Sequence, residues 1–182
     1  MQLSLIRCSA VAVLIVLPAP LQAAEARDMG IIRNMVDDLD HESRFMRLNG
    51  ALAACLAGEG DQYLASGWFE DHGWLPRVDT DMGIVEMTNR SHADLYAWIA
   101  EDGSACQIWA EDVGTQDAFD ILNELAEAAG LPVEEAEGEV GCPAITLVAG
   151  NVGYLAEVTS SGNDPVCIDV NTSRINFVRA EG

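Results

Sequence analysis

Lysine is absent from this chain. All nine basic side chains are arginine, against thirty acids, and the formal charge is −21. Such a shortage of positive charge argues against a nucleic-acid partner, because phosphate has to be met by cations. It argues equally against residence on an anionic bilayer. Without lysine there is no phosphate-cradling G-x-x-x-x-G-K-[ST] loop, and neither G-x-G-x-x-G nor G-x-S-x-G occurs, so dinucleotide and nucleophile-elbow chemistry have no motif to rest on. C-x-x-C is missing too, which removes thioredoxin-type redox sites and zinc ribbons. The three histidines, His41, His72 and His92, stand isolated, with no H-E-x-x-H to place two imidazoles on one helical face. Asp79-Thr-Asp81-Met-Gly83 begins like a calcium loop. Counted from Asp79, however, the fifth, sixth and twelfth positions are Gly83, Ile84 and Arg90, where the loop needs an oxygen ligand, glycine and glutamate. No metal or cofactor is expected.

Long apolar runs are also lacking. The longest, Cys8 to Leu17, is about half the roughly 20 residues a spanning helix needs. It follows Arg7 and precedes Pro18, Pro20 and the small residues Ala23, Ala24 and Ala26. That order is the order of a secretory signal peptide over residues 1–26, cleaved after Ala23 or Ala26. No permanent membrane anchor is expected after cleavage, and the mature chain is expected in the periplasm or secreted.

What remains, residues 27–182, has the length of one domain with a real core. Its acidity is uneven: from Glu101 onward sixteen acids face only Arg174 and Arg179. A charge-steered partner would be basic. Cys55, Cys106, Cys142 and Cys167 make an even count in an exported chain and are read as structural disulfides. Three pairings are open. Cys55–Cys106 with Cys142–Cys167 is preferred, each bridge stabilising by about 2–4 kcal/mol.

That preference follows from the expected elements. Helical spacing runs from about Asp28 to Leu39, and again from Ser43 as N-cap to Gly58 as C-cap, with Phe45, Leu48, Leu52 and Cys55 on one face. Gly60 to Met82 is irregular, read as a short helix or loop, and a strand is expected at Gly83–Thr88. Leu95–Ala100 and Ala105–Ala110 flank Glu101-Asp102-Gly103-Ser104 and read as a hairpin, Asp-Gly supplying the two positive-φ turn positions. The register pairs Ile99 with Cys106, Trp98 with Gln107, Ala97 with Ile108 and Tyr96 with Trp109. One face is then apolar and carries Cys106. A helix with Thr115 as its N-cap ends at Gly130 and Pro132, with Ala118, Ile121, Leu122, Leu125 and Ala129 inward and Asp117, Asp120, Glu124 and Glu127 outward. An acidic linker, Glu134 to Glu139, follows. Hairpins are expected at Ala144–Ala149 with Val152–Val158, and at Val166–Val170 with Arg174–Val178. The fold class is α+β: N-terminal helices, then antiparallel hairpins with one inserted helix, in a single disulfide-stapled domain.

Two functional readings result. On the first, the protein is a non-enzymatic binding or accessory protein of the bacterial envelope, acting on a basic exported protein or a small ligand. Its binding candidates are Tyr96, Trp98, Gln107 and Trp109, rigid aromatics with a polar handle on the second face of the hairpin. That face could instead be covered by another helix or by the segment from Trp68 to Trp74. On the second reading it is a small exported hydrolase, with Glu70, Asp71 and His72 as the catalytic candidates between Trp68 and Trp74. Intact-mass analysis of the protein from its native host tests the export reading. The expected terminus is Ala24 or Arg27 with all four remaining cysteines oxidised; an intact Met1 with four free thiols contradicts it.

Overall fold

The computed structural model describes residues 29–138, 140–162 and 164–180. The expected signal peptide lies outside them. Residues 29–35 are helical and run into a 3-10 turn, Val36–Asp40. Helix α1, Arg44–Ala57, and helix α2, Gln62–Asp71, follow. Strands β1 (Leu75–Asp79), β2 (Ile84–Thr88), β3 (Leu95–Ala100) and β4 (Ala105–Ala110) come next. Helix α3, Thr115–Ala129, then leads to β5 (Val133–Glu137), β6 (Pro143–Ala149), β7 (Val152–Thr159) and β8 (Ser173–Arg179). The strands form one antiparallel eight-stranded sheet in the order β1-β2-β3-β4-β8-β7-β6-β5. Two four-stranded meanders therefore meet along their last strands, β4 and β8, and helices precede each meander.

Helices cover one face only. α1 lies over β4, α2 over β1–β3 and α3 over β7 and β8. The side chains beneath them alternate along every central strand: Val85 and Met87, Leu95, Ala97 and Ile99, Cys106 and Ile108, Ile175 and Phe177, Ala156 and Val158, Ile145 and Leu147. This is the period-two pattern of a half-buried sheet. Gly50, inside α1, is a close-approach site, since a Cβ there would run into the backbone of Leu39. The disulfides join Cys55 to Cys106 and Cys142 to Cys167. The first ties α1 to the centre of the sheet, because Cys55 and Cys106 both sit on the buried interface.

Several expectations needed correction. Phe45 is 39% exposed, outside the buried stripe that Leu48, Leu52 and Cys55 form. Ser43 and Gly58 are the N-cap and C-cap of α1 as expected, but Ser43 makes no side-chain capping bond and Gly58 is right-handed, the left-handed residues being Glu59 and Gly60. Gly114 precedes α3 as N-cap; Thr115 is buried, its hydroxyl donating to the Asp169 carbonyl. The β3–β4 turn has positive φ at Gly103 alone, with Asp102 Oδ1 accepting from the Ser104 amide. Gly103 is also required by contact, because a Cβ there would strike the carbonyl oxygen of Gly60.

Two segments changed class. The acidic stretch after Pro132 is edge strand β5, not a linker. Residues 166–170 are not a strand. β8 pairs with β4 on one side and β7 on the other, so no edge is left for them. They are held by the Cys142–Cys167 bridge and by Asp169, whose Oδ1 accepts from Asn171 and Thr172. Those backbone hydrogen bonds keep the Asp169 carboxyl below its ordinary pKa.

Tyr154 is buried beside Phe177, and burial pushes its phenol up to about 12 from 10.0. The fold disfavours the phenolate, so stability is intact below pH 10. It falls as the pH rises from about 10 to about 12, by about 3 kcal/mol in all. Phenolate absorbance should show a late-titrating tyrosine that Tyr154→Phe removes. Titration of every tyrosine near pH 10 in the folded protein would contradict this.

Candidate functional site

Alternation places Tyr96, Trp98, Gln107 and Trp109 on the face opposite the helices. The register is the expected one, Tyr96 opposite Trp109 and Trp98 opposite Gln107. Beside them β8 contributes Arg174, opposite Trp109, and Asn176, opposite Gln107. On the other flank β2 contributes Glu86, opposite Trp98. One row of side chains thus runs Glu86, Trp98, Gln107, Asn176, Glu157 across five strands. At the usual strand spacing that is about 20 Å.

The rings form a cluster. Tyr96 stacks on Trp109 with centroids 5.6 Å apart and planes at 12°, and Trp98 tilts against Trp109 at 5.1 Å. The Arg174 guanidinium carbon stands 5.1 Å from the Trp109 ring centroid, a cation–π distance. Trp109 has Tyr96 on one neighbouring strand and Arg174 on the other, which leaves it 8% exposed. Tyr96 and Trp98 remain half-buried. Trp98 Nε1 donates to Glu86 Oε2 at 3.2 Å, and the same oxygen accepts from Arg77 at 2.7 Å. Burial first, then the charges of Glu111 and Glu86, raise the Tyr96 phenol above its ordinary pKa, with Arg174 pulling the other way.

Three polar atoms at this place are buried without a partner among the described residues: Trp109 Nε1, Arg174 Nε and Asn176 Oδ1. An unsatisfied buried polar atom costs about 1–3 kcal/mol, so their concentration on two adjacent strands is a local cost the rest of the fold offsets. Neither segment weighed as a cover lies here. Trp74 is in the core against Phe69, 5.0 Å away, and Trp68 Nε1 donates to the Ala57 carbonyl on α1.

The hydrolase candidates have different surroundings. His72 follows α2, its Nδ1 2.8 Å from Asp40 and its Nε2 3.8 Å from Asp37, which ties α2 to the 3-10 turn. Asp71 instead lines a surface cavity of about 410 Å³ with Arg33, Tyr63, Leu64 and Trp68. Glu70 is exposed. Among the described residues no cluster of three His, Cys, Asp or Glu side chains is placed to hold a metal ion. The Asp79 segment is the β1–β2 turn, with Asp79 Oδ1 accepting from the amides of Asp81 and Met82.

Sequence reasoning missed Arg174 and Asn176. Their alternation in β8 was visible, but nothing local says that β8 docks on β4. No protein-family model, curated protein or solved structure matches this chain. Replacing Asn176 by valine removes one unpartnered polar group and supplies a better strand former. The expected result is a gain of about 1 kcal/mol in chemical denaturation; a loss would show that the amide has a structural role.

Proposed function

We propose that this protein is exported and acts as a non-enzymatic binding or accessory protein of the bacterial envelope, with the open sheet face as its contact surface. The amino-terminal sequence order supports export. The two disulfides fit an oxidising compartment, and no described helix is long and apolar enough to cross a membrane. One observation carries the binding reading: Tyr96, Trp98 and Trp109 stand together on the face the helices leave uncovered, beside polar atoms with no partner. Rigid aromatics around a desolvated polar centre are the usual composition of an interface hot spot. The net charge of −21 favours a basic partner at long range.

Site-specific photo-crosslinking in the native envelope tests this. Benzoylphenylalanine in place of Trp98 or Gln107 should give a discrete cross-linked species. The same probe in place of Glu124, exposed on α3, should not. Equal cross-linking at the three positions, or none at the first two, contradicts the reading.

A further inference from the structure

The open face carries a cation that no ion pair among the described residues takes up. Ion pairs among the described residues take up Arg33, Arg47, Arg77 and His72; Arg174 is in none of them. Arg44, Arg90 and Arg179 are outside those pairs too, but all three are exposed. Arg174 is half-buried at the junction of the two meanders, its guanidinium carbon 5.1 Å from the Trp109 ring centroid, and its Nε is buried with no partner among the described residues. The neighbouring Trp109 Nε1 is a second desolvated donor. Two donors, one of them cationic, are the complement of a carboxylate, which guanidinium binds through paired hydrogen bonds.

We propose that the face binds a carboxylate, an Asp or Glu side chain presented by a protein partner, on the Arg174 guanidinium. Trp109 Nε1 serves as the second donor once the overlying rings shift. Trp98 and Tyr96 pack against the apolar neighbours of that side chain, and Gln107 and Asn176 flank it with amides. A protein is the source that fits, because the partly exposed row from Glu86 through Trp98 and Gln107 to Asn176 crosses four strands of sheet, beyond which Glu157 is buried with its carboxylate accepting from the Val140 amide. That is the breadth of an epitope rather than of one small molecule. Long-range attraction and short-range fit are then separate: the acidic chain draws in a basic partner, and one acidic residue of that partner sets the register. This inference rests on the binding-face reading above and specifies its chemistry.

The test uses the 15N-labelled protein and three short probes: acetyl-Phe-Glu-Phe-amide and its Gln and Lys counterparts. The Arg174 Nε–H and Trp109 Nε1–H signals, assigned with Arg174→Gln and Trp109→Phe, are followed during titration. Expected is a saturable shift of both signals with the Glu probe, about tenfold weaker with Gln and absent with Lys. Arg174→Gln should abolish the response and Arg174→Lys should retain part of it. Should Arg174→Gln not fold, the comparison of probes on the unaltered protein and on Arg174→Lys decides. Equal response to Glu and Gln, a stronger response to Lys, or none to any probe overturns the carboxylate assignment. Cross-linking at Trp98 with no preference for the Glu probe would leave the binding face standing without this chemistry. Failure of both experiments removes both.

Discussion

Everything on this molecule's functional side follows from covering a wide sheet with helices on one face only. Eight antiparallel strands offer two faces, and the helices preceding each meander cover one. The Cys55–Cys106 bridge fixes that choice by joining α1 to the middle of β4. Strand alternation does the rest: with Cys106 and Ile108 committed to the core, Gln107 and Trp109 have to face outward. A one-residue slip of β4 would exchange the two sets, so the packing that stabilises the fold is also what displays the aromatic cluster.

The junction of β4 and β8 is where the two meanders become one surface. Neither half alone holds the site. Trp109 and Gln107 come from the first meander, Arg174 and Asn176 from the second, and they meet through the β4–β8 register. Three of the seven buried unpartnered side-chain polar atoms among the described residues sit at this seam, and each costs stability that the surrounding core has to offset. A surface kept at such a cost in the folded state is the expected behaviour of a binding site.

Central elements were legible in the sequence and peripheral ones were not, for a physical reason. β3 and β4 alternate cleanly because one side of each is buried, and the turn between them fixed Tyr96 against Trp109. α3 was legible from its apolar stripe and from Gly130, which ends it in left-handed geometry. The strands missed were both edges. β1 carries Pro76 and is exposed almost throughout, and β5 is Val-Glu-Glu-Ala-Glu. Edges are defended with proline and charge, which is what erases the strand pattern. α2 was read only as a short helix or loop because Tyr63 and Leu64 point to solvent, although Asp61 supplies a cap that accepts from the amides of both. Val166, Ile168 and Val170 misled in the opposite sense: they alternate like a strand, yet β8 already has a neighbour on each side. The aromatic half of the candidate site was readable; Arg174 and Asn176 were not, because their approach to Trp109 and Gln107 is a pairing across 65 residues or more of chain.

The claim that most needs testing is that the face opposite the helices is free in the isolated protein and occupied where the protein works. Hydroxyl-radical footprinting of Tyr96 and Trp98, in the purified protein and in intact native envelopes, measures it directly. The account predicts ready oxidation of both rings in isolation and strong protection in the envelope, with Tyr63 on α2 labelled alike in the two. Equal labelling of Tyr96 and Trp98 in both settings would contradict it.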